Sequence, residues 1–325
     1  MEKDRLLYLS REDVAATGIG MPEMIEALGE ALKEKGEGKT EMPPKPGIHP
    51  GGGDNFIHAM PAYVPGLNSA GIKWVSGFPA NPEKGLPYIA GLLVLNDVET
   101  GMALAVMDCV WITAKRTGAA TALSARFLAR PDSKTLGILG CGVQGRTNAE
   151  GLKVLFPIEK IKAYDLNPNA AAAYAKEMHS ALKVEVETVQ TPEQAVRGCD
   201  IVVTAGLLQS KPHATIKAGW LEEGAFASMV DFDAYWHPDA MQAADKFCTD
   251  DTAQFAHYQE LGFFKDCPPI HADLGQLFTL QKPGRESEEE ITMTANLGMA
   301  VEDMAVAPLI YRRAVENGIG HWLPR

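Results

Sequence analysis

The feature that most constrains the fold is a glycine-rich segment near the middle of the chain. Residues 135–145 read TLGILGCGVQG, a short apolar run that leads into Gly140, Gly142 and Gly145, and a helical sequence follows at once. In such a strand–loop–helix segment the first glycine allows a tight turn, the second lets backbone approach a pyrophosphate, and the third lets helix and strand pack closely. The N–H groups of the helix N-terminus then attract phosphates. The segment therefore predicts a dinucleotide-binding loop.

An acidic residue at the end of the next apolar run indicates which dinucleotide is bound. The run KIKAYD ends in Asp165, 25 positions after Gly140. A carboxylate there accepts hydrogen bonds from both ribose hydroxyls of NAD(H) and repels the 2′-phosphate of NADP(H). We therefore expect NAD(H), with NADP(H) as the less favoured cofactor unless Asn167 or a basic neighbour weakens the preference. The loop residues Val143 and Gln144, and Thr204 after a later apolar run, are further expected contacts.

The order of the elements around this loop predicts the fold class. Apolar runs alternate with helical stretches, which is typical of a doubly wound parallel sheet of the Rossmann type. The expected strands are 135–139, 161–165, 184–188, 200–204, 225–229 and 246–249, and the expected helices are 142–155, 169–182 and 191–198. We therefore predict an α/β protein in which residues 130–294 form the dinucleotide-binding domain.

The two ends of the chain have a different character. Strand-like runs at 71–75, 89–96 and 103–108 predict a largely antiparallel sheet, and the Gly- and Pro-rich residues 37–70 predict loops around short strands. One amphipathic helix is expected after Ser10, and a last helix is expected to end near Gly318. We predict that residues 1–129 and 295–325 form a smaller α+β domain for substrate binding and dimerisation.

Composition excludes several classes of function. A net charge of −12 provides no basic surface for nucleic acid, and no apolar run is long enough to cross a membrane. The five cysteines contain no C-x-x-C pair, so neither a disulfide framework nor a metal site is expected. The charged N-terminus lacks the features of a secretion signal, and a cytoplasmic location is therefore expected.

Three cations lie in segments that we expect to be partly buried. Lys45 lies in PPKPG, Lys73 in GIKWVSG and Arg116 in AKRTGAA. Lysine and arginine are rarely buried without a partner, so these positions favour an anionic ligand such as a substrate carboxylate. Ion pairs at the surface of the protein are the alternative for each cation taken alone.

Several long segments together resemble one known family, the ornithine cyclodeaminase and mu-crystallin family. They are HAMPAYVPGLNSAGIKWVSGFPANP, GILGCGVQG, DIVVTAGLLQSKP, HADLGQLFTLQKPGR and LGMAVEDMAVAPLIYRRAVENGIG. The resemblance covers almost the whole chain. It implies a homodimer with a Rossmann domain and a second domain built from both chain ends. It also implies that a bound nicotinamide acts on amino or imino acids.

The resemblance also implies roles for particular residues. It places Lys73 and Arg116 around the substrate carboxylate, and Arg116 and Thr117 beside the nicotinamide. Lys45 stands where the cyclodeaminases usually have arginine, which removes a planar guanidinium from the carboxylate site. His58 stands where they usually have an acidic residue, and histidine suits a neutral or acidic substrate better than ornithine. A structural role for His58 is the alternative.

An aspartate after the fifth Rossmann strand is the acid or base that the resemblance implies. The segment SMVDFDAYWHPDA contains two candidates, and counting back from Asp239 selects Asp233 while leaving Asp231 possible. A carboxylate near the substrate nitrogen can move its proton or help to activate water. The alternative is that both aspartates only cap a turn.

These observations lead to one leading hypothesis and two alternatives. The leading hypothesis is an NAD-dependent oxidoreductase that interconverts a small 2-amino acid and its 2-imino or 2-oxo acid, as alanine dehydrogenase or ketimine and imine reductases do. An ammonia-lyase of the ornithine cyclodeaminase type, which recycles its NAD, is the first alternative. A non-catalytic protein that binds nucleotide and ligand is the second.

Overall fold

The computed structural model describes residues 4–209 and 211–325. The chain divides into two compact units, the first formed by Met1–Arg116 with Met299–Arg325 and the second by Thr117–Gly298. The helices and strands, in chain order, are β1 (Arg5–Leu9), α1 (Arg11–Ala16), α2 (Met21–Gly36), β2 (Gly47–Ile48), β3 (Phe56–Val64), β4 (Ser69–Gly77), β5 (Ile89–Asn96), β6 (Ala103–Asp108), α3 (Val110–Leu128), β7 (Thr135–Leu139), α4 (Val143–Leu155), β8 (Lys160–Tyr164), α5 (Pro168–Leu182), β9 (Glu185–Thr188), α6 (Pro192–Val196), β10 (Ile201–Thr204), β11 (Phe226–Met229), α7 (Pro238–Gln242), β12 (Lys246–Thr249), α8 (Thr252–Glu260), α9 (Leu274–Phe278), β13 (Thr292–Ala295), α10 (Ala300–Asn317) and β14 (His321–Pro324).

The first unit is built on a seven-stranded sheet in the order β14-β1-β6-β5-β4-β3-β2. Neighbouring strands are antiparallel except for β1 and β6, which run parallel. Helices α2 and α10 pack against one face of this sheet. Across that face the register aligns one row of buried side chains, which is Met60, Lys73, Leu93, Met107 and Leu9. A lysine therefore lies in the middle of an otherwise apolar row.

The first helical segment differs from the expectation of one amphipathic helix. Ser10 caps α1 through a capping box with Asp13, as the sequence indicates. The helix then ends at Ala16 and is followed by Gly18 at a φ of +68°, a conformation that favours glycine. The apolar face expected for the later half, which includes Leu28 and Leu32, is buried in the separate helix α2.

The expectation of loops around short strands over residues 37–70 was wrong for its second half. Residues 56–64 form the nine-residue strand β3, which pairs along its whole length with β4. Its single proline, Pro61, is tolerated within the strand and pairs in register with Ile72. Local composition indicated turns here because proline is rare in strand interiors, whereas pairing with β4 decides the conformation.

The second unit contains the predicted parallel sheet. Its strand order is β12-β13-β11-β10-β7-β8-β9, and all neighbouring pairs are parallel, so the predicted Rossmann-type α/β fold class is confirmed. Strand β13 was not predicted. It has only four residues, TMTA, and begins two positions after a run of glutamates, yet it lies between β11 and β12 and is fully buried.

The division between the units falls within α3, between Arg116 and Thr117, and again between Gly298 and Met299. The sequence placed these boundaries after residues 129 and 294. The rest of α3 belongs to the second unit because Gly118 lets it approach α4 closely: a Cβ at Gly118 would lie 2.1 Å from the carbonyl oxygen of Thr147. Gly298 is held in the second unit by its N–H, which donates to Asp250.

Among residues 4–209 and 211–325, no helix is both long enough and apolar enough to span a membrane.

The close packing of α3 on α4 gives a testable prediction. Gly118→Ala should destabilise the protein by about 1–3 kcal/mol, because the added methyl group has no space against Thr147. Helix propensity alone predicts the opposite sign, a gain of about 1 kcal/mol. Urea unfolding measures the difference. Ala172→Leu on the exposed face of α5 is the control, since it adds bulk with little change in helix propensity, and it should change stability by less than about 0.5 kcal/mol.

Candidate functional site

The three glycines of the loop occupy positions with different steric demands. Gly140 has a φ of +102°, and a Cβ there would lie 2.4 Å from the carbonyl oxygen of Ala205. A Cβ at Gly145 would lie 2.2 Å from the carbonyl oxygen of Gly140, so helix α4 and strand β7 approach closely. A Cβ at Gly142 would meet nothing within 4 Å. The first and third glycines are thus needed for the fold, while the second leaves open space above the backbone.

That open space lies at the N-terminus of α4, where Val143 and Gln144 form the first turn. Gly142 is the N-cap residue, and no side chain caps the helix. The first N–H groups of a helix have no partner within the helix and carry partial positive charge. Together with the space at Gly142, this N-terminus fits a pyrophosphate group.

Asp165 lies beside this loop, directly after β8. One carboxylate oxygen, Oδ2, accepts a hydrogen bond from the backbone N–H of Cys141 at 2.8 Å, and Oδ1 accepts from the N–H of Asn167 at 2.8 Å. The backbone of the glycine loop therefore fixes the carboxylate at the position predicted for ribose recognition. Its role in ribose binding remains a prediction.

A basic side chain that the sequence analysis did not identify also contacts the loop. Arg146 donates to the backbone carbonyls of Cys141 and Gly142, and its Nε donates to Glu177 at 2.8 Å. These bonds place a guanidinium group near the nucleotide loop, but Glu177 partly neutralises its charge. Arg146 follows directly on the third glycine, which was the available sequence signal.

Of the two candidate aspartates, Asp231 is held by structural hydrogen bonds. Its Oδ1 accepts from the hydroxyl of Thr204 at 2.6 Å, and its Oδ2 accepts from the N–H of Gly206 at 2.8 Å. The Thr204 hydroxyl in turn accepts a bond from the Trp236 indole at 3.0 Å. Burial raises the pKa of Asp231 to about 7. Asp231 thus fixes the end of β10, and the predicted cofactor contact Thr204 has its side chain engaged there.

Asp233 has a different environment only two residues later. Its Oδ2 accepts a hydrogen bond from the N–H of Phe264 at 2.7 Å, while Oδ1 is buried and has no hydrogen-bond partner in the part of the chain that is described. Burial raises the pKa of this carboxyl as well. Phe232, between the two aspartates, has a φ of +61°, a strained conformation that is often found near functional sites. Asp233 thus keeps one carboxylate oxygen that the described residues do not use, whereas both oxygens of Asp231 accept hydrogen bonds.

The first unit contains a cluster of four buried charges, which we call the charge cluster: Lys73, Arg116, Glu302 and Asp303. The Nζ of Lys73 lies 2.7 and 2.9 Å from the two carboxylate oxygens of Asp303. The Nη1 of Arg116 lies 2.5 Å from Oε2 of Glu302, and its Nε lies 3.4 Å from Asp303. None of the four side chains is more than 6% exposed. The structure thus brings two of the three predicted carboxylate-binding cations together.

The two carboxylates of the charge cluster come from the first turn of α10. Helix α10 begins at Ala300, so Glu302 and Asp303 lie where the helix dipole stabilises negative charge. The local sequence around the cations favoured a ligand as their anionic partner and did not point to these two residues. Their signal was present in GMAVEDMAV, because two acids inside an apolar helical segment are seldom buried without cationic partners.

Burial controls the ionisation of the charge cluster. It lowers the pKa of Lys73, and the neighbouring positive charge of Arg116 lowers it further. Burial raises the pKa of Glu302, and Arg116 partly offsets this effect. The adjacent thiol of Cys109 is also buried, which raises its pKa to about 11, so it stays uncharged at neutral pH. The thiol therefore adds no charge to the two basic and two acidic side chains of the cluster.

Three further predicted site residues, His58, Lys45 and Thr117, are not members of the charge cluster. His58 points to the same sheet face as Lys73, since its strand neighbour Met60 lies directly opposite Lys73. Its ring stacks on Phe56 with a centroid distance of 4.5 Å. Lys45 is 8% exposed and lies in the segment before β2. Thr117 is buried in the second unit. Their roles remain predictions.

Comparison with known proteins decides the family. The Ornithine cyclodeaminase/mu-crystallin family profile matches residues 7–318. The chain belongs to this family. It is 36% identical over 322 residues to an alanine dehydrogenase of Archaeoglobus fulgidus, with 97% of each chain covered. The predicted family is thus confirmed over nearly the whole chain.

Two solved structures extend the comparison. The first is the Thermococcus litoralis Delta(1)-pyrroline-2-carboxylate reductase in complex with NADH and L-proline, with 34% identity, a TM-score of 0.89, and coverage of 97% of this chain and 99% of that one. The second is an archaeal alanine dehydrogenase dimer with bound NAD, with 34% identity, a TM-score of 0.87, and coverage of 98% and 99%. The predicted enzyme class, an NAD-dependent oxidoreductase of amino and imino acids, and the predicted cofactor NAD(H) are confirmed.

The ion pair in the charge cluster gives a second prediction. Lys73→Met and Asp303→Leu should each cost about 3–5 kcal/mol of stability, because each leaves a buried charge without its main partner. The double variant should lose clearly less than the sum of the two, because it removes both charges. Urea unfolding of the four proteins gives the coupling energy. Additive losses would show that the two side chains do not interact.

Proposed function

We propose that this protein reduces small 2-imino acids to 2-amino acids with NADH, and catalyses the reverse oxidation with NAD. The observation that carries the proposal is that Lys73 and Arg116 are both buried in the charge cluster. The same chain leaves open space at Gly142, where a pyrophosphate group fits. Similarity to an alanine dehydrogenase and to a pyrroline-2-carboxylate reductase supports this class of substrate. Imines of pyruvate and cyclic imino acids are therefore the first compounds to test.

The cofactor supplies or accepts the hydride when it is bound, held by the glycine loop and by Asp165. In the proposed reaction Arg116 and Lys73 bind the substrate carboxylate, and Arg116 offers the planar group that matches a carboxylate bidentately. Fixing the carboxylate orients the α-carbon and lowers the entropic part of the barrier. These two residues are positioning groups for the carbon that exchanges the hydride.

Asp233 is the proposed proton donor and acceptor at the substrate nitrogen. Its raised pKa keeps a larger fraction of the acid form available near neutral pH, which suits donation of a proton to an imine nitrogen. In the reverse direction the same carboxylate takes a proton from the ammonium group. The oxygen without a hydrogen-bond partner, Oδ1, is the atom available for this transfer.

The proposal predicts turnover that depends on Asp233. NADH oxidation should be observed with pyruvate plus ammonia or with Δ1-pyrroline-2-carboxylate, and Asp233→Asn should lower kcat by about 10²–10⁴-fold because the proton donor is lost. Asp239→Asn is the matched control, since Asp239 is an exposed residue of α7, and kcat should change less than about twofold.

Other outcomes of the same assay identify the alternatives. Ammonia release from ornithine or lysine with catalytic NAD, and without net NADH formation, would identify a lyase. Bound NAD without turnover across a broad panel of oxo acids and amines would identify a non-catalytic binding protein. Following ammonia and NADH together separates these results.

We further propose that the protein is a homodimer. The sheet face of the first unit opposite α2 and α10 carries Trp74 and Leu92, which lie directly opposite each other and are 49% and 45% exposed. The next row on that face includes Ile72, Val94 and Val106. Apolar faces of this kind mark interaction surfaces, and a self-complementary twofold contact is the commonest arrangement. The dimer found for the archaeal relative supports the same assembly.

This assembly predicts that Trp74→Glu yields monomers, because a charge at the centre of the apolar face opposes its burial. Size-exclusion chromatography with light scattering measures the mass. Val154→Glu is the control, since Val154 is an exposed apolar residue of α4 in the second unit, and it should remain dimeric. A monomeric unmodified protein, or a dimeric Trp74→Glu variant, would contradict the proposed interface.

A further inference from the structure

The charge cluster is electrically balanced before any ligand binds. Lys73 and Arg116 contribute two positive charges, and Glu302 and Asp303 contribute two negative charges when ionised. Among the described residues, the thiol of Cys109 also lies beside Lys73 and Asp303, and burial keeps it uncharged at neutral pH. A substrate carboxylate that binds here brings a third negative charge into a buried site. Uncompensated buried charge is very costly, so a compensating change is required.

The two carboxylates of the cluster are not equally stabilised. Asp303 has the Nζ of Lys73 within 2.9 Å of both oxygens and the Nε of Arg116 at 3.4 Å from one of them. Glu302 has its ion pair through Oε2 alone, and the N–H of Met299 lies 3.3 Å from the same oxygen. Its other oxygen, Oε1, is buried and has no hydrogen-bond partner among the described residues. Glu302 is therefore the acid that depends most on Arg116.

We propose that Glu302 takes up a proton from solvent when a substrate carboxylate binds to Arg116, so that substrate binding is coupled to protonation of this residue. This inference rests on the proposed function, in which Arg116 receives the carboxylate. The incoming carboxylate competes with Glu302 for the guanidinium group, and a buried carboxylate that loses its cation becomes protonated. The bound proton balances the added negative charge, and the cluster keeps its total charge.

Proton uptake on binding determines whether the affinity for the substrate carboxylate rises or falls with pH. Each bound carboxylate consumes up to one proton, so affinity falls as pH rises, by at most about tenfold per pH unit. The fall occurs between the pKa of Glu302 in the free protein and its higher pKa in the complex. Glu302 is thus a positioning residue that acts through Arg116, and it favours substrate binding at lower pH.

Calorimetry of a complex that cannot react tests the inference. Pyruvate and pyrrole-2-carboxylate are titrated into the protein loaded with NAD⁺, where no hydride is available, in buffers of different ionisation enthalpy. At pH values between the pKa of Glu302 in the free protein and its pKa in the complex, the unmodified protein should take up about one proton per bound ligand, so the titrations are repeated over a series of pH values. Glu302→Gln should bind the ligands with almost no proton uptake and with little pH dependence. Glu316→Gln, at an exposed position of the same helix, should behave like the unmodified protein.

A second measurement keeps the test decisive if Glu302→Gln does not fold. Infrared difference spectra of the unmodified protein should gain the carbonyl band of a protonated carboxylic acid when pyruvate binds. Binding without proton uptake at any pH of the series, without that band, or with unchanged uptake in Glu302→Gln would overturn the inference and leave the proposed function intact. If NAD⁺ binds but neither carboxylate does, the anion site itself is wrong and both proposals fail.

Discussion

The ion pair between Lys73 and Asp303 is the contact on which the first unit depends. A lysine at the centre of an apolar row is tolerated only with a buried counter-charge, and that counter-charge comes from a residue 230 positions later in the chain. The last helix must therefore return to the N-terminal sheet and pack on β4. The same requirement brings Glu302 to Arg116, so one structural constraint assembles all four charges.

The aspartates after β11 illustrate how environment assigns different roles to identical side chains. Both are buried and both have a raised pKa, yet Asp231 satisfies both oxygens within the fold while Asp233 retains one oxygen without a partner. The first stabilises the end of β10, where Thr204 and Gly206 depend on it. Spacing along the chain selected Asp233 only by resemblance to a family motif, whereas hydrogen bonding gives a physical reason to propose Asp233 as the acid or base.

Local patterns predicted some parts of the fold and failed for others. The strands β5, β6 and β7 were predicted with their observed bounds, because each is a compact apolar run bounded by turn residues. Strands β3 and β13 were missed because their conformation depends on pairing with neighbours: the first has a proline inside a mostly apolar run, and the second is only four residues long. Strand propensity is strongly dependent on such context.

Local sequence was enough to predict the nucleotide loop, because its chemistry is local: three glycines, the following helix and Asp165 lie within one strand–helix–strand segment. It also determined that Lys73 and Arg116 need anionic partners, since burial of a lone cation is too costly. The identity of those partners follows from the folded chain alone. Glu302 and Asp303 lie far away along the chain, and the contact is set by how α10 packs on the sheet, which no local pattern encodes.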